Sequence, residues 1–122
     1  MNVDELLEKI NESVEDFDYT SARTYIEGNI ELLKTNKRYL KSNAREILNF
    51  LIEQAESGVK PLSRNELSLI NAINTYAYKF DLRGIKMLLK DNTKLFLREE
   101  TISYLNSDAR TILTGMGAIN TK

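Results

Sequence analysis

The side chains that most often carry catalysis are missing from this chain, which holds no histidine, no cysteine and no tryptophan. Their absence removes the commonest general base, the commonest transition-metal ligand, the thiol nucleophile and any disulfide. Acid–base work would fall to carboxylates, lysines or tyrosines. The densest acidic cluster is VEDFD at 14–18, with Glu15, Asp16 and Asp18. A hard-cation loop needs ligands at alternate positions around a glycine turn, and that pattern is missing. The cluster reads instead as a helix end with a solvated acidic face. GMG at 115–117 follows no strand, so it is no phosphate loop. The sequon at Asn11-Glu12-Ser13 lies inside a helical stripe and is set aside. These residues point away from an enzyme, a cofactor or a metal.

Four charged residues recur at matched places: Asp18 and Asp81, Arg45 and Arg110. An arginine in the first turn of a helix opposes the macrodipole, so capping does not explain it. The expectation is a pair of structural ion pairs, Asp18 with Arg45 and Asp81 with Arg110, tying helices together. Outward-facing, ligand-binding arginines are the alternative. A second candidate surface is a basic row, Arg83, Lys86, Lys90, Lys94 and Arg98, opposed by Asp91 alone. Its steps of three and four place it on one helical face, where it could contact phosphate or simply face solvent. Tyr76 and Tyr78 join this candidate partner surface. They stand where an earlier matching segment has Ser13 and Glu15, and they could anchor a partner or fill an internal seam.

The elements that must position these groups read as helices throughout. Apolar side chains at Val3, Leu6, Leu7, Ile10, Val14 and Phe17 form one helical stripe, with Asn2 as its N-cap. A second stripe covers about 20–35, and a third runs from Ser42 to about 56. Gly58 and Pro61 then stop it. Ser63 and Glu66 form a capping box that opens a fourth helix. The fifth carries Ile85, Leu88, Leu89, Thr93 and Phe96, and the sixth follows Ser107. No alternating segment is long enough for a strand. The tail, 118–122, is expected to fray.

These six helices fall into two groups of three. The decamers YLKSNAREIL (39–48) and YLNSDARTIL (104–113) agree at seven of ten positions. At an offset of 63, Leu6 meets Leu69, Ile10 meets Ile73, Asn11 meets Asn74, Phe17-Asp18 meets Phe80-Asp81 and Asn29 meets Asn92. A two-residue insertion before 104 then brings the decamers into line. The ordered series predicts an all-α single domain of two tandem three-helix units related by duplication. Unit 1 spans about 2–56, a linker about 57–62, and unit 2 about 63–117. The segment DYTSARTYIEGNIEL at 18–32 resembles the second helix of a tetratricopeptide-type hairpin, with Ala22 as the small crossing residue. A period near 63 instead of ~34 leaves that family unassigned.

At 122 residues, with 42% apolar and 29% charged residues, the composition is that of one globular domain. The start MNVDELLEKI is acidic and amphipathic where a secretory signal is basic and then apolar, and no run approaches a membrane span. A cytoplasmic protein with no membrane contact is expected. Formal net charge is −1, but residues 1–31 hold nine acids and two bases, while 32–45 hold five bases and no acid. The expected function is a non-catalytic protein–protein interaction module: an adaptor, inhibitor, immunity- or antitoxin-type partner, or small regulator. Its partner would be another protein, with a homodimer possible. The alternative is a nucleic-acid-associated regulator using the basic row at 83–98.

Overall fold

A computed structural model describes residues 1–120, and Thr121 and Lys122 lie outside the described residues. The described residues form eight α-helices and two 3₁₀ stretches, with no strand. Helices α1 (Val3–Glu15), α2 (Tyr19–Glu27), α3 (Ile30–Thr35) and α4 (Ser42–Ser57) make the first half, with a 3₁₀ turn at Lys37–Tyr39 before α4. Helices α5 (Arg64–Tyr78), α6 (Leu82–Asp91), α7 (Glu99–Tyr104) and α8 (Ser107–Met116) make the second, with a 3₁₀ stretch at Thr93–Leu97 before α7.

Eight helices replace the expected six: the second stripe splits at Gly28–Asn29 into α2 and α3, and α7 forms in a segment beyond the expected fifth helix, while an asparagine stands at the end of the second helix of each half. Asn29 Nδ2 donates to the Tyr25 carbonyl (2.8 Å) and Asn92 Nδ2 to that of Leu88 (3.1 Å). Each amide takes a carbonyl four residues back and stops the regular ladder. Asn2 caps α1 as expected, and Ser63 with Glu66 forms the capping box of α5. The caps expected at Ser42 and Ser107 sit one residue earlier, at Lys41 and Asn106, and only Asn106 caps through its side chain. Gly58 takes the positive φ that ends α4, at 75°.

Two further devices repeat. Asn11 Nδ2 donates to the Tyr39 carbonyl (3.3 Å) while its Oδ1 accepts from the Lys41 amide (2.9 Å). Asn74 does the same to the Tyr104 carbonyl (2.9 Å) and the Asn106 amide (2.8 Å). One amide thus clamps the turn at the start of each decamer to the first helix of its half. The second device is the reversal after α1 and α5. Phe17 (φ 61°) and Phe80 (φ 55°) both adopt the left-handed region. Around them the Asp18 amide reaches the Ser13 carbonyl, and the Asp81 amide that of Tyr76, both at 2.8 Å. Each aspartate then caps the next helix. The halves share local devices at matched positions; common ancestry of the units stays a proposal drawn from the sequence.

Core residues of both halves form a single cluster, from Leu6 to Ile119. Helix α1 packs on α2 and α4, α5 packs on α6 and α8, and the 3₁₀ stretch at 93–97 packs on α4 to join the halves. Tyr19, 1% exposed, sends its hydroxyl 3.0 Å to the Leu89 carbonyl across that seam. Burial pushes its pKa up to about 12. The tail does not fray over 118–119: Ala118 and Ile119 are buried, and the Thr20 amide donates to the Gly117 carbonyl (2.9 Å). Gly117 (φ 83°) closes α8 with Ala118 bonded back to Leu113, which turns the segment onto the α1–α2 corner. Of the expected tail, only Thr121 and Lys122 lie outside the described residues.

Close packing at one glycine sets up a test. A Cβ on Gly84 would lie 2.9 Å from Tyr76 Cδ1 and 3.0 Å from Asp81 Oδ2, whereas one on Gly115 would meet nothing within 4 Å. Helix propensity favours alanine at both sites by ~1 kcal/mol. Overpacking costs about 1–3 kcal/mol. Gly84→Ala is therefore expected to destabilise by about 1 kcal/mol and Gly115→Ala to stabilise by a comparable amount. Urea unfolding of both variants decides it; equal shifts of the same sign would remove the Tyr76–Gly84 contact from the account.

Candidate functional site

The expected Asp–Arg pairs are not formed. Asp18 spends one oxygen on the Ser21 amide (3.1 Å) and the other on the Ser21 hydroxyl (2.7 Å). Asp81 accepts from the Gly84 amide at 3.0 Å. An aspartate three residues before a free helix-start amide finds its partner locally, at much smaller entropic cost than ordering a distant arginine. Arg110 Nε instead donates to the Ile102 carbonyl (3.2 Å). Arg45 is half-buried and makes none of the ion pairs among the described residues. Of the acidic cluster, Glu15 pairs with Lys41 (2.8 Å). Among the described residues no group of carboxylates is arranged to hold a metal.

The basic row is broken. Arg83, Lys86 and Lys90 share the exposed outer face of α6, but that helix ends at Asp91. Lys94 falls in the 3₁₀ stretch, and Arg98 turns inward to 7% exposure. Arg98 is a structural tie. It pairs with Glu66 (3.2 Å) and Glu100 (3.7 Å) and donates to the Lys60 carbonyl, while its Nε is buried without a partner. It thereby fastens the linker and the start of α5 to the start of α7, beside a cleft of about 460 Å³ that Lys94 also lines.

The two tyrosines part company. Tyr76 is half-buried, its ring lying over Gly84. The matched positions of the first half hold Ser13 and Ser21, so a large–small pair replaces two small residues. Tyr78 is 79% exposed, and it does not stand alone. Phe80 is 70% exposed, Met87 60% and Leu82 37%, all at the α5–α6 corner or on the outer face of α6. Lys79, Arg83 and Lys86 interleave with them and are exposed, and none joins an ion pair among the described residues. Single exposed apolar residues are ordinary, but here four fall within the ten residues 78–87. Phe80 adds strain, since a bulky side chain in the left-handed region costs ~1–2 kcal/mol. Sequence reasoning found Tyr76, Tyr78 and the basic row, and missed Phe80, Leu82 and Met87. The signal available for Phe80 and Leu82 was the chain break at Asp81, which frees both from a helical stripe.

Comparison with protein-family models, curated proteins and solved structures finds no match to this chain.

Two tests follow from this geometry. Burial alone would raise the pKa of Glu66, but the amide and hydroxyl of Ser63 and the nearby Arg98 carry it below the ordinary 4.5. The folded protein holds this proton less tightly than the unfolded chain. The Glu66 contribution is therefore complete above about pH 4.5 and is lost as pH falls through the lower folded value. Wild type should exceed Glu66→Gln in stability at neutral pH, and the gap should close on acidification. A constant gap from neutral pH to well below 4.5 would show that the charge of Glu66 is immaterial. At Phe80, asparagine tolerates the left-handed backbone and little packing is lost. Phe80→Asn should leave stability unchanged or raise it by up to about 1 kcal/mol, while Phe17→Asn, which strips a half-buried ring from Tyr19, should lower it by about 1–3 kcal/mol. Thermal unfolding of the two variants separates them.

Proposed function

We propose that this chain is a non-catalytic α-helical protein–protein interaction module: an adaptor, inhibitor, immunity- or antitoxin-type partner, or small regulator, acting in the cytoplasm. The observation that carries this reading is the bare α5–α6 corner, where Tyr78, Phe80, Leu82 and Met87 are exposed together. Tyrosine, phenylalanine and methionine are enriched at the centres of interfaces, and arginine often joins them. Strain at an exposed aromatic brings the fold no packing, which favours a role in contact with another molecule. Tyr19 and Glu66 carry displaced pKa values, and both sit in packing contacts, away from this corner. No helix among the described residues is long and apolar enough to cross a membrane. The partner in this reading is another protein, or a second copy of the chain.

The second reading, a nucleic-acid-associated regulator, draws on the outer face of α6 and the neighbouring Lys94. The loss of Arg98 from the row shortens the available cationic surface, and four apolar side chains occupy the same corner. A sequence pI near 5.6 adds no general attraction to phosphate.

A photo-crosslinking amino acid at position 78, and a control at position 12 on the acidic face of α1, would be placed in the full chain in its native cells. Discrete protein adducts from position 78, absent from position 12, are the expected result. Adducts to nucleic acid alone would reverse the order of the two readings. Duplex DNA binding that collapses between about 50 and 200 mM salt and vanishes in Lys86→Glu/Lys90→Glu would do the same.

A further inference from the structure

The first half shows what a finished corner of this kind looks like. There the reversal at Phe17-Asp18 is covered by the chain end of α8. Gly117 offers its carbonyl to the Thr20 amide, the second residue of α2 (2.9 Å), and Ala118 and Ile119 are buried behind it. The approach is close enough that a Cβ on Gly117 would fall 2.5 Å from Asp18 Oδ1. Phe17 and Tyr19, the counterparts of Phe80 and Leu82, are half-buried and buried. The second corner has the same left-handed phenylalanine and the same capping aspartate, but Phe80 and Leu82 are exposed there. The Arg83 amide, which matches that of Thr20, has no backbone partner among the described residues; α4 runs on to Ser57, whereas α8 stops at Met116 and turns.

Charge distinguishes the two corners further. On α2, Arg23 and Glu27 form an i,i+4 ion pair at 3.3 Å. The matched positions on α6 hold Lys86 and Lys90, two like charges at the same spacing, with Arg83 three residues before them. The like-charged Lys86–Lys90 pair costs a few tenths of a kcal/mol at this spacing, which the placing of Lys90 in the last turn of α6 offsets, while Arg83 and Lys86 gain nothing of the kind. No carboxylate of the described residues is paired with any of the three.

Resting on the interaction-module reading, we infer that the α5–α6 corner is a docking site for a segment of another protein that ends a helix, carries two or three apolar residues, and is flanked by aspartate or glutamate. The apolar residues cover Phe80, Leu82 and Met87 as Ala118 and Ile119 cover the first corner. A backbone carbonyl of the segment accepts from the Arg83 amide. Its acidic flank lies along Arg83, Lys86 and Lys90 and replaces the neutralisation that Glu27 gives Arg23.

The full chain serves as target for selection from a displayed random-peptide library near physiological salt, and the best peptide is then synthesised with a fluorophore for anisotropy titration. The expected peptides carry an apolar cluster beside acidic residues. Their affinity should fall at least tenfold in Phe80→Asn, in Met87→Glu and in Lys86→Glu, and should not move in Lys37→Glu. Circular dichroism confirms folding of each variant, and Met87→Glu keeps the test open if Phe80→Asn unfolds. Neutral or basic peptides, or no enrichment, would overturn the proposal. Peptides indifferent to Phe80→Asn and Met87→Glu would overturn the corner while leaving the interaction-module reading standing. Self-association in sedimentation that Phe80→Asn abolishes would make the occupant a second copy and overturn the acidic segment. Duplex DNA binding through Lys86 and Lys90, without peptide binding, would take both readings down.

Discussion

The left-handed phenylalanine that ends α1, and again α5, sets the geometry of each half. With φ near 60°, the chain can bond the next amide back to a carbonyl five residues earlier and leave the first helix at a fixed angle. The aspartate that follows then has its carboxylate three residues from the next helix's free amides, so reversal and initiation share two consecutive residues. Once that angle is fixed, the first helix of each half packs on its last, α1 on α4 and α5 on α8, and its mid-helix asparagine falls opposite the turn that opens the decamer. Asn11 and Asn74 reach the Tyr39 and Tyr104 carbonyls from there. A glycine would adopt the reversal without strain but would leave the unfolded chain freer. In the first half, Phe17 recovers part of its strain by packing edge-on against Tyr19 at 6.4 Å. In the second half Phe80 has no such compensation within the chain.

That difference orders the rest of the molecule. The first corner lies inside the fold, under the turn after α8, and Tyr19 reaches from it to the Leu89 carbonyl of the other half. The Arg23 guanidinium extends the same seam to the Leu97 carbonyl at 2.8 Å. The halves are thus joined at this corner as well as by the 3₁₀ stretch at 93–97 on α4, while the other corner stays exposed. Tyr76 over Gly84 thickens the second corner from within. With Tyr76 filling the space between α5 and α6, Tyr78 and Phe80 are left on the outside. The asymmetry follows from where the second half ends its last helix.

Much of this was legible in the residues, and the failures share a physical origin. Apolar spacing placed the helices, and the Ser63–Glu66 box was readable because both partners lie within one turn. The repeated Asn11/Asn74 pair was visible as an anomaly that periodicity did not explain, but its clamp spans about thirty residues of chain and no local rule gives its target. The Asp18–Arg45 and Asp81–Arg110 pairs were misread for the opposite reason: a capping amide three residues away is nearer than any distant arginine, and proximity in sequence wins. Arg98 was assigned to the outer row because a helix through 98 would put it there. Asn92 ends the helix early, and the tighter 3₁₀ stretch turns Arg98 toward Glu66 and Lys60. The breaks, more than the stripes, decided which charges were surface and which were struts.

The strain at Phe80 is not forced by the backbone, because glycine or asparagine would adopt the same conformation at lower cost. Phe80 is 70% exposed and lies outside the core cluster that Phe17 joins, so burial offsets the left-handed penalty less than at Phe17. Neighbouring Lys86 repeats the pattern, since it lacks the carboxylate partner that Glu27 gives the matched Arg23. Two adjacent departures from local stability, one apolar and one electrostatic, share one surface. Each would be relieved by the same kind of contact, apolar at the centre and negative at the side. Independent drift would scatter such departures over the exposed faces of eight helices. Their coincidence in one short stretch of chain is the feature on which the proposed contact rests.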